Sequence, residues 1–541
     1  MQLPPALRPG FVARASRCLP ASIQEQASRL PGALAPPIDP GRSTPRVAII
    51  GSGFGGLGMG ARLRQAGIES FTIFEKADDV GGTWRDNTYP GAACDVPSHL
   101  YSLSFAPKAD WTSRYPEQPE IFEYLQGLVG QLGLASHLRL NTEVVSATFD
   151  EGSAQDRPWT LRFADGGEER FDVVVSATGQ LNRPYVPAIT GLETFEGRCF
   201  HSARWDHHHD LSDRDVAVIG IGASAIQFVP AIAERVRSLT LFQRSVNYVA
   251  PKADPPFSPR ARRALAVPPI RRLYRASIWA RLDARWMWFT DRSRSGRLLA
   301  KTFRTRLEPL VSEDLPAEAV IPSDPLGCKR ILISSDWYPA IMRPNVRVVT
   351  APVDHIEADG VVADGEKFRA DTLIFGTGFK ATGFLTPMTV TGQDGKDLHE
   401  EWSDGAEAHL GLTVSGFPNL FLLYGPNTNL GHNSIIFMLE RQITYVLTCL
   451  RRMTEQSIAT LHVRPEAQVA SNERLTEELS HTVWSASCHS WYKTASGRIT
   501  NNWAGTTAKY WARTAYPRWS DFDEVPRKTS APAPEPADVG V

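Results

Sequence analysis

Cysteine is scarce in this sequence, with six cysteines among 541 residues. No two of them stand in C-x-x-C or C-x-x-x-x-C spacing, which argues against a zinc site and against a redox-active disulfide. We therefore expect reduced thiols in a cytoplasmic protein. The six are Cys18, Cys94, Cys199, Cys328, Cys449 and Cys488.

Long apolar runs and an excess of either charge are also lacking. No apolar run reaches the ~18 residues that a bilayer-spanning helix needs. The proline-rich residues 1–44 have no compact apolar core followed by a cleavage site, so we expect an N-terminal arm rather than a secretory signal. A formal net charge of −1 gives no electrostatic reason to expect nucleic acid as a partner. The length predicts about three or four domain-sized units.

The sequence does contain one local pattern twice. Residues 46–50 are a short apolar strand candidate, followed by a G-x-G-x-x-G turn, a helical stretch and a second strand at 71–74. The same order recurs with G-x-G-x-x-A at 220–225 and a closing strand at 239–242. Strand, glycine turn, helix and strand make a βαβ unit. The sequence therefore predicts two nucleotide-binding folds.

The first glycine loop has the residues that a dinucleotide requires. Gly51 allows the tight turn, Gly53 lets the backbone approach a pyrophosphate, and Gly56 lets the helix pack on the strand. The pyrophosphate would lie on the helix N-terminus, whose N–H groups and dipole favour negative charge. Glu75 follows Gly51 by 24 residues and is placed for the ribose hydroxyls of an adenosine.

The second loop differs at the end of its closing strand. Gly220, Gly222 and Ala225 form the turn, but Arg244 stands where the first unit has an acid. An acid would repel a 2′-phosphate, whereas an arginine can bind it through a forked hydrogen bond. The first loop therefore indicates FAD and the second NADPH.

Two further apolar strands, at 172–176 and 371–375, each end in a small-residue turn. Such turns allow backbone and cofactor to approach closely. Because the turns are about 200 residues apart, we expect the second nucleotide domain to be inserted in the first. The predicted fold is α/β, with two Rossmann-like dinucleotide-binding domains and a helical insert. The predicted bounds are 45–182 and 376–522 for the FAD domain, 183–375 for the NADPH domain, 251–325 for the helical insert within it, and 523–541 for a disordered tail.

The helical insert is strongly basic. Residues 260–304 contain thirteen Lys or Arg and two acids. Apolar residues recur every four positions, which predicts one apolar helix face. We interpret the segment as a helical subdomain over the active site with a solvated basic face, in preference to a basic amphipathic helix that contacts a membrane surface. The recurring residues are Ile270, Tyr274, Ile278, Leu282 and Trp286.

Three more motifs surround the loops. Residues 81–95 read G-G-x-W-x-x-x-x-Y-P-G-x-x-x-D, residues 195–206 read F-x-G-x-x-x-H-x-x-x-W-D, and residues 325–330 end in a Lys-Arg pair. Together with the two glycine loops, these motifs resemble the fingerprints of the type I Baeyer–Villiger monooxygenases, a family of class B flavin-dependent monooxygenases. The resemblance covers roughly residues 45–510.

The resemblance implies an FAD- and NADPH-dependent enzyme that inserts one oxygen atom of O2 beside a ketone carbonyl. An ester or lactone would form through a C4a-peroxyflavin. Three catalytic residues follow from it. Arg330 would be a fixed cation beside flavin and nicotinamide, oriented by Asp95, and His201 would couple domain movement rather than act as a base. Further implied cofactor contacts are Thr83, Trp84, Val144, Ser245 and Lys329, the last at the 2′-phosphate.

Other functions remain open at the level of sequence. One is oxidation of sulfur or nitrogen in small molecules by the same flavin chemistry. Another is an NADPH oxidase that makes H2O2 without a substrate, and a third is a binding module in which FAD is structural. The histidines at 207–209 invite a metal site, but no Cys or acid cluster supports them, so we interpret them as a solvated loop.

Overall fold

The structure is a computed structural model that describes residues 38, 42–486, 488 and 490–528. The predicted N-terminal arm lies almost entirely outside these residues. The strands are β1 (Val47–Ile50), β2 (Phe71–Phe74), β3 (Leu138–Arg139), β4 (Val144–Phe149), β5 (Trp159–Phe163), β6 (Glu168–Phe171), β7 (Val173–Ser176), β8 (Arg198–His201), β9 (Asp215–Ile219), β10 (Ser238–Phe242), β11 (Val249–Ala250), β12 (Leu332–Ile333), β13 (Val346–Val349), β14 (Val353–Glu357), β15 (Gly360–Ala363), β16 (Glu366–Arg369), β17 (Thr372–Phe375), β18 (Thr389–Thr391), β19 (Leu420–Leu422), β20 (Ile458–Val463) and β21 (Phe522–Pro526). The helices are α1 (Phe54–Gln65), α2 (Thr83–Asp86), α3 (Gln118–Gln131), α4 (Ala225–Ala233), α5 (Pro259–Ala266), α6 (Pro268–Asp283), α7 (Arg294–Leu307), α8 (Ala317–Val320), α9 (Trp337–Ile341), α10 (Leu398–Glu401), α11 (Ile435–Glu455), α12 (Pro465–Ser480) and α13 (Thr507–Thr514).

A five-stranded parallel sheet carries the first glycine loop. Its strand order is β19-β7-β1-β2-β3, and each neighbouring pair is parallel. One face packs on α1 and α11 and the other on the sheet β18-β4-β5-β6. Because both faces are covered, β1 and β7 are apolar and buried along nearly their whole length. The strands predicted at 46–50, 71–74 and 172–176 are confirmed to within one residue.

A second parallel sheet carries the second loop. Its strand order is β13-β10-β9-β17-β8, again with parallel neighbours. The chain leaves the first sheet after β7 and rejoins it at β19, and every strand of the second sheet lies between these two points in the sequence. The predicted α/β fold with two Rossmann-like units is thereby confirmed.

The C-terminal segment differs from the prediction. Residues 523–528 are ordered rather than part of a disordered tail, because β21 pairs antiparallel with β20. Glu524 of β21 also accepts a hydrogen bond from Arg452 Nε at 2.5 Å. The alternating pattern of this five-residue strand is too short to be recognised next to a proline-rich stretch. The rest of the predicted tail, residues 529–541, lies outside the described residues.

The helical insert comprises α5 to α8, between β11 and β12. Ile278 and Leu282 of α6 are buried, and Tyr274 and Trp286 are half-buried against the cores. Ile270, by contrast, is 46% exposed. The predicted apolar face therefore exists only toward the C-terminal end of α6. In the part of the chain that the structure describes, no helix has the length and apolar character to cross a membrane.

Asp283, the last residue of α6, holds the insert to the rest of the molecule. Its carboxylate accepts hydrogen bonds from Thr507 N at 2.8 Å, Thr507 Oγ1 at 2.7 Å and Asn433 Nδ2 at 3.0 Å, and His432 Nε2 lies 3.5 Å away. Burial by itself raises the pKa of Asp283, but these donors outweigh burial and lower the pKa to about 2. The carboxylate therefore fastens α6 to α13 and to the chain before α11.

We expect Asp283→Asn to destabilise the docking of the insert by about 2 kcal/mol at pH 7. Because the folded pKa is depressed, this stabilisation is present above about pH 4 and is lost as the pH falls toward 2. Limited trypsin digestion should cut the arginine-rich insert faster in the variant. Urea unfolding should show a difference from the wild type that narrows below about pH 4.

Asp291→Asn is the matched control, since Asp291 is an exposed acid of the same insert. Equal tryptic cleavage of the two variants would contradict the role assigned to Asp283.

Candidate active site

A cavity of about 1150 Å³ is bounded by both glycine loops. The small-residue turns at 177–179 and 376–378, which follow β7 and β17, also line it. The volume exceeds the ~300–1,000 Å³ of an ordinary small-molecule pocket. The cavity thus lies where the carboxyl ends of strands from both sheets meet, the usual position of a ligand in open α/β folds.

The first loop forms a cradle at the start of α1. Gly51 has a φ of +104°, and a Cβ there would lie 2.6 Å from the carbonyl oxygen of Ala177. A Cβ on Gly56 would overlap the carbonyl oxygen of Gly51, whereas nothing lies within 4 Å of one on Gly53. The first turn of α1 has no side-chain cap and no acid. Its free N–H groups and the open space at Gly53 fit the pyrophosphate of FAD.

The second loop repeats this arrangement at the start of α4. Gly220 has a φ of +99°, and its Cβ would lie 2.6 Å from the carbonyl oxygen of Gly376. Gly222 approaches the same oxygen, and Ala225 begins α4 without a side-chain cap or an acid in the first turn. A second pyrophosphate, that of NADPH, fits here by the same physical argument. Each glycine loop therefore packs against one of the two small-residue turns.

Glu75 ends β2 beside the first loop. Its carboxylate accepts hydrogen bonds from Ser52 N at 3.1 Å and Ser52 Oγ at 2.8 Å. It also forms an ion pair with Arg85 Nη1 at 3.2 Å. The acid is buried and lines the cavity, so it is placed for the ribose of a nucleotide on α1.

Two cationic side chains, Arg244 and Lys329, line the cavity near the end of β10. Arg244 and Ser245 are exposed and line the cavity, and Arg244 forms no ion pair with the described carboxylates. Lys329 Nζ donates to Ser245 Oγ at 2.7 Å and pairs with Asp324 Oδ2 at 2.6 Å. The predicted cofactor contacts Arg244, Ser245 and Lys329 thus come from two distant parts of the sequence to the same stretch of the cavity wall.

Arg330 and Asp95 form a two-pronged ion pair at the cavity wall. Arg330 Nε donates to Asp95 Oδ2 at 2.7 Å and Nη2 donates to Oδ1 at 2.8 Å. Burial lowers the pKa of Arg330, but Asp95 and nearby tyrosines raise it overall. The guanidinium therefore stays charged, and its Nη1 remains directed toward the Leu430 carbonyl at 3.4 Å. The predicted pairing of these two residues is observed.

Two tyrosines, the half-buried Tyr424 and the buried Tyr492, stand near this pair. Tyr424 donates from its hydroxyl to Asn429 Oδ1 at 2.7 Å, and both residues line the cavity. Burial raises the pKa of Tyr492 to about 12, although the charge of Arg330 lowers it in part. The Tyr492 hydroxyl has no hydrogen-bond partner among the described residues. Sequence reasoning did not single out Tyr424 or Asn429, because no local motif marks them.

Residues 81–95 are fastened to the second nucleotide unit by Gln227 of α4. Its Oε1 accepts hydrogen bonds from Tyr89 OH at 3.0 Å and Ala93 N at 3.3 Å, and its Nε2 donates to Ala93 O at 3.0 Å. A Cβ on Gly91 would lie 2.8 Å from the carbonyl oxygen of Gln227. Gln227 was missed by sequence reasoning, and the one available signal was its place two residues after the G-x-G-x-x-A turn.

The remaining predicted contacts also line the cavity: Thr83, Trp84 and Val144. Thr83 begins α2 and Val144 begins β4. Trp84 is half-buried and its Nε1 donates to Tyr101 OH at 3.1 Å, which fixes the indole plane at the wall.

His201 does not line the cavity. It ends β8, and its Nδ1 accepts a hydrogen bond from Ala203 N at 3.0 Å, which places the proton of the neutral ring on Nε2. Burial lowers the pKa of His201, with a partial offset from the backbone of Gly378. The ring lies beside Phe379, 5.9 Å between ring centroids, at the turn that lines the cavity.

The rest of the 195–206 motif packs on the second sheet. A Cβ on Gly197 would collide with the carbonyl oxygen of Asp371, which explains the glycine directly before the edge strand β8. Trp205 lies 5.3 Å from Phe228 of α4, and Asp206 pairs with Arg198. The segment is a packed joint next to the cavity.

The histidine run at 207–209 forms single hydrogen bonds. His207 Nε2 lies 2.7 Å from Thr88 Oγ1, and His209 Nε2 lies 2.9 Å from Thr372 Oγ1. Within residues 38, 42–486, 488 and 490–528, no three His, Cys, Asp or Glu residues group as metal ligands would.

The cysteines differ from the prediction of reduced thiols. Cys328 and Cys488 form a disulfide across a separation of 160 residues. No local spacing can reveal a pairing of this range, which arises only from the tertiary fold. The bond joins the residue before the Lys329–Arg330 pair to the segment that contributes Ser490 and Trp491 to the cavity wall. Among the described residues, Cys94, Cys199 and Cys449 are free.

Comparisons with known proteins agree with this geometry. A family described as flavin-binding monooxygenase-like matches residues 44–254. A Baeyer–Villiger monooxygenase of Streptomyces coelicolor is 43% identical over 500 residues, covering 92% of this chain and 94% of that protein. A Baeyer–Villiger monooxygenase of Pseudomonas aeruginosa is 42% identical over 473 residues, covering 87% and 89%.

Solved structures show the same architecture. An oxidised steroid monooxygenase bound to NADP has a TM-score of 0.79 at 29% identity, covering 89% of this chain and all of that chain. OTEMO in complex with FAD and NADP has a TM-score of 0.81 at 26% identity, with the same coverage. Since relatives above 40% identity match along almost the whole sequence, this chain belongs to the Baeyer–Villiger monooxygenase family of flavin-dependent enzymes.

Proposed function

We propose that this protein uses FAD and NADPH to insert one oxygen atom of O2 beside the carbonyl of a ketone, giving an ester or lactone. The observation that supports this best is the Asp95–Arg330 pair at the wall of a cavity that both glycine loops share. Solved relatives are named steroid monooxygenase and cyclohexanone monooxygenase, which favours a ketone as substrate. When bound, FAD supplies the oxygen-activating chemistry and NADPH the hydride.

The two sheets divide the cofactors between them in this proposal. Residues 45–182 and 376–522 form the FAD domain, and residues 183–375 form the NADPH domain with the insert at 251–325. The open space at Gly53 and the N-terminus of α1 take the FAD pyrophosphate. Glu75 binds its ribose, while Arg244 and Lys329 bind the 2′-phosphate of NADPH.

Arg330 supplies the fixed positive charge that oxygen insertion needs. Negative charge develops on the attacking oxygen and on the carbonyl oxygen, and a preorganised guanidinium stabilises both without losing its proton. Asp95 holds the guanidinium plane through two hydrogen bonds. The buried Tyr492 and the half-buried Tyr424 limit the water around the pair, which strengthens its electrostatic field.

His201 and Gln227 act as positioning residues. Both lie where residues of the second nucleotide unit meet segments of the first, and both stay uncharged. Gln227 sets the distance between α4 and residues 81–95, and His201 braces the turn at 376–379. Each therefore affects how the two cofactors face one another.

Product analysis tests the reaction itself. We expect the holoenzyme with NADPH and O2 to convert members of a panel of cyclic, linear, aromatic and steroid ketones to esters or lactones. Products should be identified by mass spectrometry rather than by NADPH loss, since uncoupled H2O2 formation also consumes NADPH. A sulfide in the same panel tests the alternative function, the oxidation of sulfur. Formation of sulfoxide without any ester or lactone would contradict the proposal.

Arg330→Ala should abolish ester formation while NADPH still reduces the flavin, because the guanidinium acts on the oxygenation half of the cycle. Stopped-flow absorbance measures flavin reduction, and chromatography measures ester. Arg330→Lys should restore little of the ester formation, because a lysine ammonium cannot make both hydrogen bonds to Asp95 in the geometry of a guanidinium. Ester output near that of the wild type in Arg330→Ala would remove Arg330 from catalysis.

Arg244→Ala should narrow the preference for NADPH over NADH about tenfold, since a charge-assisted contact is worth ~1.5–3 kcal/mol. The ratio of kcat/KM for the two cofactors measures this. Arg235→Ala, at an exposed arginine after the other end of α4, is the control and should leave the ratio unchanged. If Arg244→Ala left the ratio of kcat/KM for NADPH and NADH unchanged, Arg244 would not belong to the phosphate site.

A further inference from the structure

The junction of α5 and α6, residues 259–273, has an unusual surface, which we name the α5–α6 corner. Three apolar side chains stand out from it: Val267 is 44% exposed, Ile270 46% and Leu273 73%. No acid occurs between residues 255 and 282, a stretch with seven arginines. Three exposed apolar side chains within seven residues differ from the single, scattered apolar side chains of an ordinary protein surface.

The three apolar side chains lie around the N-terminal end of α6. Val267 directly precedes the helix, and Ile270 and Leu273, three residues apart, are neighbours on the helix surface. Ile278 and Leu282, toward the C-terminal end of α6, are buried. Arg275 on the inner side donates to the carbonyl oxygens of His99 at 2.7 Å and Ser102 at 2.9 Å. Because Arg275 lies about 200° around the helix from Leu273, these hydrogen bonds hold Leu273 on the solvent side of α6.

The arginines of the corner lack carboxylate partners. Arg260, Arg262, Arg263 and Arg272 are all exposed, and none forms an ion pair with a described residue. Exposed arginines elsewhere on the second nucleotide unit do pair, as Arg347 does with Glu366 at 2.8 Å. The corner therefore presents apolar side chains in a field of uncompensated positive charge.

Although the sequence pattern alone favours a solvated basic face, the exposed apolar side chains change that interpretation, and we propose that the α5–α6 corner docks on the surface of a lipid bilayer that contains anionic phospholipids. Val267, Ile270 and Leu273 enter the boundary between headgroups and acyl chains, and the four unpaired arginines contact lipid phosphates. Each arginine near an anionic surface contributes about fivefold to binding. The protein lies on the membrane and does not cross it.

Charge and composition favour this partner over two others. If a second copy of the chain bound here in a two-fold contact, the same arginines of both copies would come together, and their like charges would repel each other. A nucleic acid would be bound by the arginines but gives no place to three exposed aliphatic side chains. An anionic bilayer accommodates both features at once.

The other end of α6 reaches the cavity. Trp279 and Asp283 contact Asn433, which lines it, and Asp283 lies ten residues from Leu273, about 15 Å along the helix axis. Given the proposed function, an apolar ketone dissolved in a bilayer would therefore be held within about one helix length of the site.

Vesicle sedimentation of the FAD-loaded full chain tests the docking without any turnover. We expect the protein to pellet with vesicles of equal parts phosphatidylcholine and phosphatidylglycerol and to stay in the supernatant with pure phosphatidylcholine. High salt should release it. Ile270→Ser with Leu273→Ser, and separately Arg262→Gln with Arg263→Gln, should each lower the bound fraction at least tenfold.

The matched control is Val469→Ser with Arg474→Gln on α12, where Val469 is 52% exposed; it should bind as the wild type does. Flavin absorbance and the thermal midpoint confirm that each variant is folded. Absence of pelleting with anionic vesicles, or equal pelleting of the corner variants and the control, would overturn the proposal. So would a concentration-dependent dimer on gel filtration that Leu273→Ser abolishes.

Discussion

The two-pronged ion pair between Arg330 and Asp95 is the contact on which the arrangement of the site depends. Asp95 ends the segment that runs along the first glycine loop, and Arg330 follows the helical insert. The pair therefore joins the two nucleotide units at the cavity wall. Breaking one partner would leave a partly buried charge without compensation, which costs more than the intact pair contributes. This cost keeps both residues in place, and the same charge is available to a reacting oxygen.

Around this pair the two units are held by hydrogen bonds as well as by apolar contacts such as that between Tyr89 and Phe228. Gln227 binds the backbone of Ala93 and the hydroxyl of Tyr89 through three hydrogen bonds. His201 and the 195–206 motif rest on the edge of the second sheet. Hydrogen bonds of neutral groups can lengthen or exchange at low free-energy cost. Such hydrogen bonds suit an enzyme whose two nucleotide-binding units must shift relative to one another during the reaction.

The sequence predicts the central strands β1, β7, β9 and β17 well, because each is a short apolar run followed by a turn of small residues, as at Gly51 and Gly220. The edge strands β3, β8, β13 and β19 carry no such signal. The sequence predicts the Arg330 pairing only by resemblance, since residues 95 and 330 share no local pattern. Other features arise from tertiary packing alone. Examples are the Cys328–Cys488 bond, the outward orientation of Leu273 on a helix whose other side is buried, and strand β21. Periodicity tells which faces a helix has, but not how much of each face a neighbour covers.

Because the second sheet is inserted between β7 and β19, the ribosome makes the second sheet before it completes the first. β19 lies beside β7 in the first sheet, yet 243 residues separate Ser176 from Leu420. At about 5–20 residues per second, the nascent chain exposes the apolar edge of β7 for roughly 12–50 s before its partner strand leaves the ribosome. During that interval the second unit can fold completely. The half-built first sheet therefore carries an unpaired strand edge that is open to non-native pairing until β19 is made.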